Sequence, residues 1–156
     1  MIYPSEGIAE VLRALLLQAA EGTPGALPDV RLEPGGAPLG ASAVLTSSGT
    51  MSLHCACAGI PGAIAYRIDP LTYWLGRWLV QVPFLGIANL LLNEPMYPEY
   101  IQGAATPAAL AAELQACLHD PARIARTAEQ AARLRALLGQ PAGGTAGAWL
   151  ARQLAG

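Results

Sequence analysis

The stretch VLTSSGTMSLHCACAGIPGAIAYR, residues 44–67, decides the fold. Its apolar start predicts a buried strand over 43–46, and four small residues at 47–50 end that strand. Residues 51–58 have the pattern of a short helix, because Gly59 and Pro61 are typical of residues that follow a helix. A second strand is predicted over 63–68. Strand, helix and strand in this order indicate a right-handed parallel βαβ unit.

Elements predicted on either side of this unit continue the alternation of strands and helices. Toward the N-terminus these are a strand over 1–5, a helix over 6–20 and a strand over 30–32. Toward the C-terminus they are a helix over 71–80 and a strand over 84–91. Strands this apolar are typical of parallel sheets that are covered on both faces. The sequence therefore predicts an α/β fold, a Rossmann-like parallel sheet flanked by helices.

The last third of the chain is predicted to be helical. Thr106 and Asp120 each precede a proline, a pair typical of a helix start, so we expect helices from residues 107 and 121. Residues 141–147 have the composition of a hinge, and residues 148–154 that of a short final helix. The helix from residue 121 carries an apolar stripe that we expect to face the core. Its members are Ile124, Ala128, Ala131, Leu134 and Leu138.

Length, composition and charge limit the classes of protein that this chain fits. A chain of 156 residues, 53% of them apolar, suits one packed domain over 1–156, with 106–156 as its helical region. The net charge is −2 and the nine basic residues, all arginine, are scattered, which excludes the basic patch of a nucleic-acid-binding protein. Three cysteines favour a reducing cytoplasm over a disulfide framework.

One apolar stretch, residues 71–92, approaches the about 20 residues that a bilayer span needs. Arg77, Gln81 and Asn89 interrupt it, so we predict no span and leave contact with a membrane surface open. Helical spacing places aromatic side chains beside Arg77 on a face suited to acyl chains, lipid headgroups or a partner helix. Packing of this face against the sheet is the alternative. The aromatic residues are Tyr73, Trp74 and Trp78.

The turn at residues 47–50 is the strongest candidate binding site. A helix that follows a strand directs its first N–H groups and the positive end of its dipole beyond the carboxyl end of that strand. Gly49 allows the backbone to come close to a ligand, and Ser48 and Thr50 add hydroxyl groups. This arrangement suits a diphosphate. The alternative is purely structural, with Ser48 as a helix cap and Gly49 as a turn residue.

Other polar residues point less clearly to a site. His54, Cys55 and Cys57 have no second pair of ligands at zinc-site spacing, so we expect structural thiols and no metal. We also expect a structural role for His119 at a helix end. Asn89, Glu99 and Gln102 lie near the end of a predicted strand and could share a crevice with the turn at 47–50. Capping and local pairing are the alternative for these three.

Taken together, four segments resemble the C-terminal domain of the lipid-A-disaccharide synthase family, which are glycosyltransferases of the GT-B type. The segments are SSGTMSL at 47–53, GIPGAIAYRIDPLTYWLGRWLV at 59–80, IANLLLNEPMYPEYIQ at 87–102 and TPAALAAEL at 106–114. They occur in the order and at the spacing expected of that family.

The resemblance implies that this domain binds a UDP-sugar, and that an N-terminal half supplies the acceptor site and the general base. Transfer of diacylglucosamine from UDP to a lipid acceptor would need no metal or other cofactor. Ser48, Gly49 and Thr50 would hold the diphosphate. The aromatic face would lie near acyl chains or the inner membrane, which implies a cytoplasmic, peripheral location. Further cleft positions implied by the family are His54, Arg67, Asn89 and Gln102.

Two positions in or next to the matching segments depart from the family pattern. His54 stands where the family usually has a glutamate, and a neutral imidazole offers fewer acceptors to ribose hydroxyls. Ala88 replaces a proline. We also expect no N-terminal half in this chain, so the domain would be incomplete and no catalytic residue is assigned. That half would come from another chain or would have been lost by truncation, and the apolar surface left for it also favours a homo-oligomer.

Three functional hypotheses remain open on the sequence. The first is the UDP-sugar-binding half of a glycosyltransferase. The second is a non-catalytic binding or partner module that keeps the family fold. The third is a membrane-surface protein that uses the aromatic face. Saturable binding of UDP would separate the first hypothesis from the second.

Overall fold

The computed structural model describes residues 2–3, 6–22, 30–34, 40–47, 49–67, 69, 83–140, 144 and 153. The chain forms two compact units, Met1–Gly40 and Ala41–Gly156. The predicted helix over 71–80, the hinge over 141–147 and the helix over 148–154 lie wholly or mostly outside the described residues, as does Ser48. Single-domain organisation stays a prediction.

The first unit contains a small parallel strand pair and one helix among its described residues. Strands β1 (Ile2–Tyr3) and β2 (Glu33–Pro34) pair in register, and helix α1 (Glu6–Gly22) lies between them in the chain. The first strand and the helix were predicted. The second strand was placed too early, over 30–32, and begins at Glu33.

The second unit is built on a parallel sheet. Its described strands are β3 (Val44–Thr46), β4 (Gly62–Tyr66) and β5 (Glu99–Ile101), in the order β3-β4-β5. Helix α2 (Thr50–Cys57) joins β3 to β4, which confirms the predicted βαβ unit. Helices α3 (Ile87–Leu92), α4 (Pro107–His119) and α5 (Pro121–Leu138) follow. The α/β class is therefore confirmed.

The interior lies around β4 and the helices that pack on the sheet. Ala63 and Ile64 of β4 are buried, whereas Leu45 of β3 is 41% exposed because β3 is at the edge of the described sheet. Helix α4 packs on β3 and β4, and α2 packs on α3 and α5. The strand predicted over 43–46 was expected to be buried, and this is wrong for Leu45.

The predicted strand over 84–91 is wrong, because this segment forms a loop and then helix α3. A short apolar run fits a strand and a buried helix equally well, so tertiary contacts decide. Here the Glu99 carboxylate accepts hydrogen bonds from the N–H groups of Leu85 and Gly86 at 2.8–3.0 Å and stabilises the start of the helix. The third strand of the sheet is β5, which follows α3 in the chain.

Helices α4 and α5 begin where the sequence predicts. The Thr106 hydroxyl oxygen accepts from the Ala109 N–H at 3.2 Å, and the Asp120 carboxylate accepts from the Ala122 N–H at 2.9 Å. The face that α5 buries differs from the predicted stripe, since Ile124 and Leu138 are exposed. The buried residues of α5 are Arg123, Thr127, Gln130, Ala131 and Leu134.

Candidate functional site

Three of the predicted site residues, Gly49, Arg67 and Gln102, lie beyond the carboxyl ends of the three neighbouring strands. Thr46, Ile64 and Glu99 form a register-aligned row across β3, β4 and β5. Gly49, Arg67 and Gln102 each lie three residues beyond this row, in the segments that leave the carboxyl ends of the strands. Carboxyl ends of parallel strands are where α/β folds bind ligands. The topology therefore brings together residues from three separate segments.

Gly49 adopts a backbone conformation that is essentially restricted to glycine. Its φ of 134° and ψ of −168° precede helix α2, and a Cβ atom added there would meet nothing within 4 Å. The Ser52 hydroxyl donates to the Gly49 carbonyl at 2.6 Å, and Ser52 is buried. The buried Ser52 hydroxyl thus holds the turn in place, and the space next to the Gly49 Cα is open.

Helix α2 differs from α4 and α5 in how it begins. Those two helices receive a side-chain cap from Thr106 and Asp120, whereas the N-cap of α2 is Gly49, which has no side chain. The N-cap residue therefore supplies no side-chain acceptor to the first N–H groups of α2. These groups and the helix dipole favour an anion at this end of the helix.

Thr50 and His54 lie on the same exposed face of α2. They are four residues apart, which is about one helical turn, and both side chains are exposed. Ser52 was missed as a contributor to the turn. Its spacing of three residues from Gly49 resembles a capping pattern and could have indicated it.

Arg67 and Gln102 are joined by a hydrogen bond across the ends of β4 and β5. The Arg67 Nε–H donates to the Gln102 carbonyl at 3.3 Å. Gln102 has a φ of 53°, in the left-handed region that non-glycine residues seldom adopt. Arg67 is exposed and places a positive charge beyond the carboxyl end of β4, the strand that pairs with β3.

Asn89 lies in the interior, fully buried, instead of at the end of a strand. Its amide nitrogen donates to the Tyr97 carbonyl at 2.7 Å and to Glu99 at 2.9 Å, and its oxygen accepts from the Tyr97 N–H at 2.9 Å. Tyr97 donates in turn to the Ile60 carbonyl, and burial raises the pKa of its phenol. This geometry matches the alternative of local pairing for Asn89 and Glu99.

Two of the three cysteines, Cys55 and Cys117, are buried. Burial raises the pKa of the Cys55 thiol, which favours the neutral thiol over the thiolate that a metal or a nucleophile requires. Cys117 is also buried, and desolvation raises its pKa as well. His119 is exposed in the last turn of α4, where a positive charge suits the helix dipole.

An ion pair between the buried Arg123 and the partly buried Glu113, which the sequence did not indicate, joins α4 and α5 to the sheet. Arg123 is 4% exposed and donates to Glu113 at 3.2 Å, to the Thr127 hydroxyl at 2.7 Å and to the Gly62 carbonyl at 2.8 Å. Gly62 begins β4, so this network lies at the amino end of the strand. It therefore stabilises the fold at the end opposite the candidate site.

The predicted aromatic face falls outside the described residues. Tyr73, Trp74 and Trp78 all belong to the segment 70–82, so their contact with acyl chains or a membrane stays a prediction. Among the helices that the structure describes, none combines the length and the apolar content that crossing a bilayer requires.

Comparison with known proteins gives a consistent family. The model for lipid-A-disaccharide synthetase matches residues 37–149. A lipid-A-disaccharide synthase from Geobacter metallireducens is 41% identical over 97 residues, which are 62% of this chain and 25% of that protein. The enzyme from Alkalilimnicola ehrlichii is 42% identical over 108 residues, 69% of this chain and 28% of that protein. The chain thus spans about a quarter of the length of these relatives.

Proposed function

The chain belongs to the lipid-A-disaccharide synthetase family, and on this basis we propose that it is the part of a glycosyltransferase that binds a UDP-sugar. The whole enzyme would transfer diacylglucosamine from UDP to a lipid acceptor. The domain would form part of the C-terminal half of a GT-B fold. The observation that carries the proposal is that Gly49 and Arg67 follow the carboxyl ends of two paired parallel strands.

The diphosphate would bind at the start of helix α2. Gly49 lets the backbone approach the ligand, and the first N–H groups of α2 donate to phosphate oxygens. The hydroxyl groups of Thr50 and of Ser48 add further donors. Arg67 supplies the positive charge, since a guanidinium forms strong charge-assisted hydrogen bonds with phosphates.

The remaining predicted site residues take different roles in this proposal. His54, one turn after Thr50, would face the ribose. Asn89 would act as a positioning residue, because its amide holds the segment between α3 and β5. The aromatic face at 73–78 would contact the acyl chains or the inner-membrane surface. The acceptor site and the general base would belong to the N-terminal half, so no catalytic residue is assigned here.

A second candidate is a binding module without turnover. The observation that favours it is His54, which replaces the glutamate expected at this position of α2. An exchange of His54 for glutamate separates the two candidates. A UDP-sugar-binding enzyme half gains affinity for uridine nucleotides from His54→Glu, whereas a module that binds another ligand does not.

The direct test is titration of the purified chain with UDP, UMP and uridine by calorimetry. A diphosphate site binds UDP most tightly, and loss of one charge-assisted hydrogen bond of about 1.5–3 kcal/mol separates UDP from UMP by about tenfold or more. Thr50→Val should weaken UDP binding. Thr106→Val is the matched control, because Thr106 caps α4. No saturable UDP binding at millimolar concentration, or equal affinity for UDP and uridine, would refute the proposal.

A further inference from the structure

Gln102 has a strained backbone conformation directly after strand β5. The described chain has two non-glycine residues with positive φ, Asn93 and Gln102, both at 53°. Asn93 ends helix α3, and asparagine is among the residues that tolerate the left-handed region at a helix end. Gln102 follows strand β5 directly. Strain of this kind persists only where surrounding contacts determine it, and it is concentrated at functional sites.

The strained residue directs its carbonyl group to two donors. The Gln102 oxygen accepts from the Ala105 N–H at 3.1 Å and from the Arg67 Nε–H at 3.3 Å. The first bond closes the turn Gln102–Ala104, and the second reaches across to the end of β4. The left-handed backbone at Gln102 therefore determines where this carbonyl meets the arginine.

Arg67 is held through one of its five N–H groups. Its terminal nitrogens, Nη1 and Nη2, have no acceptor among the residues that the structure describes. A guanidinium fixed at Nε keeps its planar fork in one orientation and retains four donors for a ligand. Such an arrangement suits bidentate binding of a phosphate group.

We propose that Gln102 is a positioning residue, whose left-handed backbone aims its carbonyl group at Arg67 and so orients the arginine toward the phosphate groups of the ligand. This inference rests on the proposed function. It assigns the effect of Gln102 to its main chain, and it predicts that residues able to adopt the left-handed conformation can replace glutamine.

Three variants at one position separate a main-chain role from a side-chain role. Gln102→Asn and Gln102→Gly keep the left-handed backbone, because asparagine and glycine tolerate it, whereas the β-branched Gln102→Val disfavours it. Gln115→Val is the matched control, since Gln115 is exposed in helix α4. Urea unfolding of every variant confirms that the chain remains folded before binding is compared.

The affinity for UDP should follow the backbone and not the side chain. Arg67→Ala is expected to weaken binding about tenfold, and Gln102→Val to reproduce most of that loss. The double variant should bind about as weakly as Arg67→Ala alone, because the two changes remove one interaction. Gln102→Asn should retain an affinity for UDP within about twofold of that of the parent. Equal losses in Gln102→Asn and Gln102→Val, or fully additive losses in the double variant, would overturn the inference.

A second readout does not depend on the ligand. The Nε–H signal of Arg67, assigned with Arg67→Lys, reports in NMR on whether this group is hydrogen-bonded in the free protein. We expect its exchange with water to be at least about tenfold faster in Gln102→Val than in Gln102→Asn. Equal exchange in both variants contradicts the positioning role even if UDP binds. If the parent does not bind UDP, the proposed function fails, and exchange alone decides whether Gln102 holds Arg67.

Discussion

Replacing Gly49 by alanine adds one methyl group to the turn before helix α2 and changes little else. A Cβ atom at this position meets nothing within 4 Å, so the substitution causes no steric clash. Its effect comes from the backbone, whose φ of 134° and ψ of −168° lie in a region that is essentially restricted to glycine. The variant therefore isolates the conformation of the turn from its packing.

The expected cost follows from this geometry. Holding a non-glycine residue in such a region costs about 1–3 kcal/mol. If the turn keeps its shape, the free energy of unfolding falls by that amount. If the turn relaxes, the 2.6 Å hydrogen bond from the Ser52 hydroxyl to the Gly49 carbonyl breaks, and the first N–H groups of α2 change direction. In that case stability is partly regained, and the affinity for UDP falls by up to about 100-fold, the equivalent of about 3 kcal/mol.

Urea unfolding and calorimetric titration with UDP measure the two parts of this cost. Gly103→Ala is the matched control, because a Cβ atom at Gly103 also meets nothing within 4 Å and its φ is not positive. We expect the control to remain within about 0.5 kcal/mol of the parent. If Gly49→Ala matches the control in both stability and UDP affinity, the reasoning about this turn is refuted.

Three further substitutions test the fold. Gly62→Ala places a Cβ atom within clash distance of the Val44 carbonyl oxygen, so β3 and β4 must separate and thermal unfolding should show a loss of about 1–3 kcal/mol relative to Gly103→Ala. Arg123→Met leaves the partly buried Glu113 without its cation and should cost about 3–5 kcal/mol in urea, most of which Glu113→Leu in the same chain should restore. Burial raises the pKa of Tyr97, so the folded chain keeps a proton that the unfolded chain releases near pH 10, and stability falls as the pH rises above that value. Tyr97→Phe should therefore reduce the loss of stability between pH 9 and 11, about one unit on either side of the ordinary pKa of 10.0, as measured by urea unfolding.

Much of the fold could be predicted because local signals determine it. Gly59 follows α2 with a φ of 73°, a conformation that favours glycine, and Thr106 and Asp120 cap the helices that begin after them. Each of these signals depends on residues within one turn of the helix end. The βαβ order around residues 44–66 followed from such signals together with the apolar runs between them.

The predictions were wrong for segments whose structure depends on hydrogen-bond partners that are distant in the sequence. The segment 84–91 became a loop and a helix because Glu99 accepts hydrogen bonds from Leu85 and Gly86. Helix α5 turned a polar face inward because Glu113 and the Gly62 carbonyl satisfy Arg123. The pattern of apolar residues does not predict that a polar residue is buried when its hydrogen-bond partners lie in other helices or strands.

The candidate site was predictable in part, for the same reason. The turn before α2 could be located from the small residues that follow an apolar strand, and parallel pairing then brought Gly49, Arg67 and Gln102 to equivalent positions. The buried position of Asn89 could not be foreseen, since it depends on the backbone of Tyr97 folding back toward α3. The left-handed conformation of Gln102 has no local sequence signal, because glutamine does not favour that region.

The most direct measurement is the change in amide chemical shifts as UDP is added to the ¹⁵N-labelled chain. If the first N–H groups of α2 receive the diphosphate, the largest saturable shifts belong to the amides of Gly49, Thr50 and Met51, with a parallel shift of the Arg67 Nε–H. UMP should cause smaller shifts at the same amides. Saturable shifts confined to other parts of the chain, or none at millimolar UDP, would contradict a diphosphate site at the start of this helix.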